Sequence, residues 1–133
     1  VIERDFVAIP IEATLGEVVH NAIAKSCRNI FPVVTRHNHL AGVIWLDDIR
    51  SVMFDTAVYQ KINVGHMMQQ PPAVIVQGED TVESVAQKFQ QTGAWNLPVV
   101  GYHNRYVGFV SRSRLLSAYR QKVVEMSRDD ELF

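Results

Sequence analysis

The sequence predicts an α/β (α+β) fold in which two β-α-β-β-α repeats pack with pseudo-twofold symmetry into one module. The first observation behind this is an internal repeat. Phe-Pro-Val-Val at residues 31–34 recurs as Leu-Pro-Val-Val at residues 97–100, and the same spacing places Gly42 on Gly108. The second is the composition, with 47% hydrophobic and 20% charged residues, an ordinary globular balance. A single repeat buries too little apolar surface to be secure alone, so the two copies are expected to pack together.

Each predicted repeat opens with a strand and a helix. Phe6–Ile9 and Val74–Val76 are short apolar stretches rich in β-branched residues, which favours strands. In the first copy, Thr14 followed three residues later by Glu17 indicates a capping box at the start of the helix. The apolar face of this helix comprises Leu15, Val18, Val19, Ala22 and Ile23, and its counterpart in the second copy comprises Val82, Val85, Ala86 and Phe89.

A hairpin and a second helix complete each repeat. The hairpin strands, separated by a polar turn in each copy, are Pro32–Val34 with Leu40–Trp45 and Pro98–Val100 with Tyr106–Ser111. The closing helices are expected to face inward through Ile49, Val52 and Met53 in the first copy and through Leu115, Leu116 and Tyr119 in the second. Between the copies, Val64–Met68 indicates a short helix that the following prolines end.

These elements divide the chain into four segments. They are a first repeat at residues 1–58, a connection at 59–73, a second repeat at 74–122 and a C-terminal tail at 123–133. The acidic tail is expected to fray. Because the chain starts in mid-pattern with VIERDFVAIP and without an initiator methionine, we expect it to be a piece of a longer protein.

The bulk properties disfavour several classes of function. A formal net charge of −1 does not support a nucleic-acid surface built on bulk basicity. The single cysteine, Cys27, excludes an internal disulfide and is typical of a small buried hydrophobic residue. His37 and His39 lie in a polar turn with no third ligand nearby, which favours a solvated turn over a metal pair. Apolar runs fall far short of the roughly 20 residues that span a bilayer, so no segment is expected to insert into a membrane.

The two apolar-Pro-Val strands, the threonine-led helices and the two glycine-to-helix segments resemble a tandem pair of CBS domains, a Bateman module. The stretch VGHMMQQPPAVIV is similar to the usual lead-in to a second CBS domain. This resemblance covers nearly the whole chain, roughly residues 4–122. The terminal stretch SRSRLLSAYRQKVVEMS is similar to the end of the cytoplasmic tail of bacterial ClC-type chloride channels or antiporters.

The resemblance implies an adenine-nucleotide motif, Gly-apolar-apolar-Thr/Ser-x-x-Asp, whose hydroxyl binds phosphate and whose aspartate accepts hydrogen bonds from the ribose hydroxyls. This chain splits the motif between its copies. The first copy has Asp48 at the ribose position but Trp45 where the hydroxyl belongs, and the second has Ser111 but carries Arg114 where the carboxylate belongs. Arg114 cannot accept a hydrogen bond, although it and Arg112 could hold another anion.

The candidate nucleotide-binding residues that the resemblance implies extend along both copies. They are Ala8, Ile9, Phe31, Pro32, Trp45, Asp48, Ile75, Leu97, Pro98, Ser111, Arg112 and Arg114. No catalytic and no metal-binding residue is expected, because the sequence contains no nucleophile–base grouping and no Gly-rich phosphate loop.

Several of these residues have a structural alternative. Asp47 and Asp48 as an acid–base pair compete with Asp47 as a helix cap, and adjacent residues leaving a strand point apart, which favours the cap. Trp45 as a base-stacking platform competes with Trp45 as a core-filling aromatic, and Ser111 as a phosphate ligand competes with Ser111 as a helix cap.

The function that the resemblance implies is a non-catalytic regulatory and dimerisation module. As the tail of a chloride channel or transporter, it would form a homodimer through its helices, be attached to the membrane-embedded transport domain of the same chain, and lie in the cytoplasm at the inner face of the cell membrane. Its expected ligands are AMP, ADP or ATP. The alternative is a CBS module of another transporter or of a metabolic enzyme, with degenerate pockets and a purely protein-interaction role.

Overall fold

The computed structural model describes residues 1–23, 28–50, 52, 54–58 and 61–124. The chain forms two compact units, each with a three-stranded sheet. The first unit is Phe6–Gln70, and the second unit is Val1–Asp5 together with the chain from Pro71 onward. The first five residues therefore belong with the second repeat rather than with the repeat that follows them directly in sequence.

The first unit is built from the first repeat and most of the connection. Its strands are β1 (Ile9–Pro10), β2 (Ile30–Val34) and β3 (Leu40–Trp45). Its helices are α1 (Leu15–Glu17), which continues as a π-helix over Val18–Ile23, α2 (Leu46–Arg50) and α3 (Val64–Met67), with a 3-10 turn at Thr56–Val58. In the sheet β1 runs parallel to β2, and β2 runs antiparallel to β3. Leu15, Phe31, Val33, Ile49 and Val64 form the centre of its buried core.

The second unit repeats this architecture. Its strands are β4 (Ile75–Val76), β5 (Asn96–Val100) and β6 (Tyr106–Ser111). Its helices are α4 (Val82–Thr92) and α5 (Arg112–Val124), with a 3-10 turn at Tyr102–Asn104. Ile75, Val85, Leu97, Val99 and Val110 form the centre of its core, and none of these five side chains is exposed to solvent.

The pairing registers confirm the predicted fold class and the internal repeat. Val33 pairs with Gly42 across the first hairpin, and Val99 pairs with Gly108 across the second. The register shifts immediately after this pair in both hairpins. An irregularity at the same place in both copies indicates that the repeat extends to backbone geometry and not only to hydrophobic pattern.

The opening helices of the two copies differ although their sequence patterns agree. In the second copy the Thr81 hydroxyl accepts from the Ser84 N–H and the Ser84 hydroxyl accepts from the Thr81 N–H, which completes a capping box. In the first copy the Thr14 hydroxyl accepts from the Glu17 N–H at 3.3 Å, one half of the predicted box. After one α-helical turn this helix widens into the π-helix. The spacing of apolar residues predicted an α-helix and gave no sign of this wider geometry.

The inward-facing residues of the closing helices are only partly as predicted. Ile49 and Leu115 are buried as expected. Leu116 and Tyr119 are 48% and 41% exposed, so the prediction that they face the core of this chain is wrong. Leu116 lies about 100° around α5 from Leu115 and cannot face the sheet together with it, whereas Tyr119 lies only about 40° from Leu115 and is exposed one turn farther along the helix. Leu116 and Tyr119 form an exposed apolar stripe. Val52 is half-buried.

Some sequence-based expectations fall outside what the structure describes. These are the burial of Cys27, the side-chain orientations of Ala22, Ile23 and Met53, and the fraying of the tail beyond residue 124. The predicted short helix at the connection is confirmed as α3, whose N-cap Asn63 accepts from the His66 N–H through its side chain.

A polar cluster that sequence analysis did not predict fastens α4 to β4. Buried Asp80 accepts from the Val76 N–H, the Ser84 hydroxyl and the Lys88 ammonium group at 2.7–2.8 Å. Lys88 also donates to the Val74 carbonyl oxygen at 2.7 Å. Burial alone raises the pKa of the Asp80 carboxyl, but the hydrogen bonds from Lys88, Val76 and Ser84 outweigh it and hold that pKa below its ordinary value. The cluster stabilises the contact between α4 and β4, and the hydrogen-bonding groups named here are already engaged with one another.

Candidate functional site

The candidate site of the first unit lies where β3 passes into α2 and where the chain segment after α3 crosses it. Gln69 pairs with Val43 on the edge of β3 through two backbone hydrogen bonds of 2.8 Å. A Cβ on neighbouring Gly42 would lie 2.9 Å from the Gln69 carbonyl oxygen, closer than real Cβ contacts allow. Glycine is therefore required at this position of the motif because another backbone passes over it. We call this contact the lead-in crossing of the first unit.

The second unit has the same lead-in crossing, formed by its N-terminal residues. Glu3 pairs with Phe109 through backbone hydrogen bonds of 2.7 and 2.9 Å. A Cβ on Gly108 would overlap the Glu3 carbonyl oxygen, an even closer approach than at Gly42. The spacing that aligns Gly42 with Gly108 also aligns Gln69 with Glu3, so the two crossings are equivalent positions of the repeat.

Each crossing residue also holds the side chain at the ribose position of the motif. In the first unit the Gln69 amide Nε2 donates to Asp48 Oδ2 at 2.8 Å. In the second unit Arg114 Nε pairs with Glu3 Oε1 at 2.6 Å, and the Glu3 side chain is only 9% exposed. Alignment of the two repeats shows that Arg114 stands where the first copy has Asp48. It does not show that Asp48 and Arg114 each have a partner of their own. Extending the repeat alignment would have shown that Glu3 and Gln69 are equivalent positions, but not which side chains they contact.

The acidic residues at the start of α2 have separate roles. The helix begins at Leu46, so the prediction that Asp47 caps it is wrong, because Asp47 already lies in the first helical turn. Asp47 is exposed and pairs with Arg50 one turn later at 3.4 Å. Asp48 is exposed and pairs with Gln69. Both carboxylates lie near the positive end of the helix dipole, where a negative charge is stabilised. Because the two carboxylates have different partners, the structure gives no support to an acid–base pair.

Trp45 ends β3 three residues before Asp48 and is half-buried. Its partner in the β2–β3 hairpin is Ile30. An aromatic side chain in this position can contact both the core and a ligand, so both alternatives for Trp45 stay compatible with its exposure.

The candidate residues of the second unit are engaged mainly with the protein. The Ser111 hydroxyl accepts from the Arg114 N–H at 3.3 Å, which confirms Ser111 as the cap of α5. Arg112 donates to the Phe89 carbonyl oxygen at 2.8 Å, and its guanidinium lies 5.2 Å from the centroid of the Trp95 ring. Arg114 is held by Glu3. These contacts leave fewer groups for an anion than the run of Ser and Arg in the sequence suggests.

The remaining candidates lie on the strands. Ala8 is exposed just before β1, and Ile9 on β1 is 2% exposed. On the central strands, the fully buried side chains of Phe31 and Leu97 belong to the cores, as does that of Ile75 on β4. Pro32 and Pro98 are also buried. In these conformations the strand candidates can offer a ligand backbone groups more readily than side chains.

No group of three His, Cys, Asp or Glu side chains suited to a metal ion occurs in the described part of the chain. The rings of His37 and His39 are 6.4 Å apart between centroids. Within residues 1–23, 28–50 and the later described ranges, no helix is long and apolar enough to cross a membrane.

A known family model matches both halves of the chain. The CBS domain model matches residues 1–55 and again residues 64–121. The chain belongs to the CBS domain family. Its two units are accordingly a tandem CBS pair, as the resemblance implied. The first match includes Glu3 although the structure places that residue in the second unit.

Solved CBS structures share this fold. Staphylococcus aureus OpuCA superposes with a TM-score of 0.71 at 23% identity, covering 89% of this chain and 95% of that one. The CBS domain of a bacterial CNNM/CorC family Mg²⁺ transporter in complex with ATP gives 0.72 at 18%, covering 87% and 81%. CBSX2 in complex with AMP gives 0.69 at 20%, covering 88% and 89%. At these identities the likeness shows the fold.

Among curated proteins, the cobalt-dependent inorganic pyrophosphatase of Clostridium perfringens is 29% identical over 73 residues. The match covers 55% of this chain but only 13% of that enzyme. About half of this chain thus resembles a small part of the pyrophosphatase.

Proposed function

We propose that this CBS pair is a non-catalytic regulatory module whose first unit binds an adenine nucleotide. The observation that carries the proposal is the exposed Asp48 carboxylate in the first turn of α2, held by Gln69. One Asp48 oxygen accepts from Gln69, and a carboxylate has about four acceptor sites. Asp48 therefore keeps capacity to accept from both hydroxyls of a ribose. The CBS structures in complex with ATP and with AMP support this ligand class.

Trp45 shapes the expected preference among adenine nucleotides. It stands where the family motif has a phosphate-binding hydroxyl, and indole offers a ring face and an N–H donor but no acceptor or hydroxyl. We propose that the base or sugar contacts this ring, so recognition rests more on the nucleoside than on the phosphates. AMP, ADP and ATP are then expected to bind with similar affinities.

The second unit is proposed not to take a nucleotide in the same pose. Arg114 is a donor without acceptor capacity and is already paired with Glu3. Arg112 is engaged with Phe89 and Trp95. One nucleotide per chain is therefore the expected stoichiometry.

The Asp48→Ala variant tests this proposal. Millimolar AMP is expected to raise the unfolding temperature of the wild-type chain, because a ligand that binds only the folded state stabilises it. Asp48→Ala is expected to lose at least about tenfold in affinity, since it removes charge-assisted hydrogen bonds. Asp47→Ala is the matched control, because it removes the adjacent exposed carboxylate and should bind AMP as the wild type does. A wild-type unfolding temperature that does not respond to millimolar AMP, ADP or ATP would contradict the proposal.

The host protein is proposed to be a transporter, with this module in the cytoplasm at the inner face of the cell membrane. The ATP-bound structural relative comes from a magnesium transporter, which supports the transporter class. The likeness of the stretch from Ser111 onward to the tail of ClC-type chloride channels supports a chloride channel or antiporter within that class. The match to part of a pyrophosphatase supports an enzyme as the alternative host.

We also propose that the module pairs with a second copy of itself through α5. The stripe formed by Leu116 and Tyr119 is exposed, and beside it α4 and α5 border a groove of about 560 Å³. Phe89, Leu115 and Leu116 are among the residues that line this groove. Leu116 belongs both to the stripe and to the groove, so the two form one largely apolar surface, which suits an isologous twofold contact between identical patches.

Sedimentation velocity tests the self-association. The wild type is expected to sediment as a dimer at micromolar concentration, and Leu116→Lys is expected to sediment as a monomer because a charge would be buried in the contact. Ser117→Lys places the same charge one residue away on α5 and serves as the matched control. A monomeric wild type up to the highest concentration measured would contradict this part of the proposal.

A further inference from the structure

We propose that Gln69 is a positioning residue for Asp48, and that the residue at this place in each unit determines which ligand chemistry the neighbouring motif accepts. In the first unit a neutral amide supports a carboxylate, and in the second Glu3 supports a guanidinium. The inference rests on the proposed nucleotide binding of the first unit and extends it to residues outside the glycine-to-aspartate motif.

The backbone fixes the crossing residue independently of its side chain. Two hydrogen bonds join the residue to the third strand of each sheet, at Val43 in the first unit and at Phe109 in the second. Gly42 and Gly108 admit this approach. Because both backbone hydrogen bonds of Gln69 are made to Val43, the side chain starts from a fixed point beside the first turn of α2, and its amide reaches Asp48 from there.

The side-chain chemistry of each pair is complementary in a way that a single substitution would break. The Gln69 amide donates to one Asp48 oxygen and leaves the other acceptor sites of the carboxylate free for a ligand. A carboxylate at the crossing would repel Asp48 and would have no hydrogen to donate to it. In the second unit the crossing residue is a carboxylate, Glu3, and its partner is a cation, Arg114. In each unit the crossing residue is therefore chemically complementary to the residue at the ribose position. Both residues differ between the units, and the complementarity is kept.

The pairing leads to a consequence for the second unit. Ser111 already provides the hydroxyl of the nucleotide motif there, so the missing element is a supported carboxylate at residue 114. Arg114→Asp alone would complete the motif in sequence but would face Glu3 with a second carboxylate. Glu3→Gln together with Arg114→Asp would reproduce the amide–carboxylate pair of the first unit.

The first arm of the test measures AMP and 2′,3′-dideoxyadenosine monophosphate binding by Gln69→Met, which keeps the side-chain length but removes the donor. AMP affinity is expected to fall about three- to tenfold, because the lost hydrogen bond is solvent-exposed. Affinity for the dideoxy analogue, which lacks the ribose hydroxyls, is expected to change less than about twofold. Gln70→Met is the matched control, since Gln70 donates to the Ala41 carbonyl oxygen instead. A purely structural role for Gln69 would weaken both ligands equally.

The second arm counts AMP molecules bound per chain by calorimetry for Arg114→Asp and for Glu3→Gln/Arg114→Asp, with folding checked by urea denaturation. The double variant is expected to bind two and the single variant one. The inference is overturned if both variants bind the same number, or if Gln69→Met keeps the wild-type ratio of AMP to dideoxy affinity. A wild type that binds no AMP at all overturns the proposed function itself, and this inference with it, which distinguishes the two failures.

Discussion

Replacing Gly108 by alanine is expected to destabilise the second unit by about 3 kcal/mol, near the upper end for overpacking. The new Cβ would overlap the Glu3 carbonyl oxygen and would lie 2.9 Å from Ile2 Cγ2. The nearest atom belongs to a hydrogen-bonded backbone, which cannot rotate away as a side-chain tip could. The lead-in crossing must therefore open, and the Arg114–Glu3 ion pair would be strained with it.

Urea denaturation of three alanine variants measures this effect with internal controls. Gly42→Ala brings its Cβ to 2.9 Å of the Gln69 carbonyl oxygen and is expected to cost less than Gly108→Ala. Gly65→Ala lies in α3, where the nearest atom to its Cβ is 3.5 Å away, and is expected to be neutral or stabilising by up to about 1 kcal/mol. Equal stabilities of the Gly108 and Gly65 variants would show that the crossing is not formed as described.

The substitution Phe31→Ala is expected to cost about 3–5 kcal/mol, the usual range for deleting a buried phenylalanine. Phe31 is fully buried on the central strand of the first unit, within the core that includes Leu15 and Ile49. Domains of this size are commonly stable by only about 5–15 kcal/mol, so this loss removes a large share of the free energy of unfolding.

Phe54→Ala is the matched control for this prediction. Its side chain is 83% exposed, and surface substitutions of this kind usually change stability by less than about 0.5 kcal/mol. The measurement is the urea midpoint of each variant followed by tryptophan fluorescence, for which Trp45 reports on the first unit and Trp95 on the second. A Phe31→Ala midpoint within error of that of Phe54→Ala would contradict the described core.

The repeat alone was enough to predict the two sheets. Hydrophobic patterns placed β3 and β6 at their observed bounds, and the paired glycines aligned the hairpins, because strand pairing depends on local alternation and turn length. The first strands are shorter than predicted, at two residues each. An apolar stretch shows which residues become buried, but not how many of them complete a hydrogen-bonded ladder.

What the sequence could not show were contacts between segments far apart along the chain. The partnership of Gln69 with Asp48 depends on a crossing that hydrophobic periodicity does not encode, and that of Glu3 with Arg114 places the N-terminal residues in the second unit. Likewise, the periodicity of α5 marks Leu116 as apolar but cannot say whether its stripe faces the sheet or solvent.

The two crossings explain why the nucleotide motif is divided between the copies without disrupting either fold. Each unit keeps the same glycine, the same backbone pairing and a satisfied polar pair, while the chemistry of that pair is free to diverge. A regulatory module of this kind acts by linkage, in which a ligand biases its host only to the extent that it binds one state better than another.

The most direct test of this account is a calorimetric titration of AMP into the wild-type chain and Asp48→Ala. The account predicts one AMP bound per wild-type chain and a binding signal that is lost or at least about tenfold weaker in the variant. Two molecules bound per wild-type chain, or an affinity unchanged by Asp48→Ala, would contradict it.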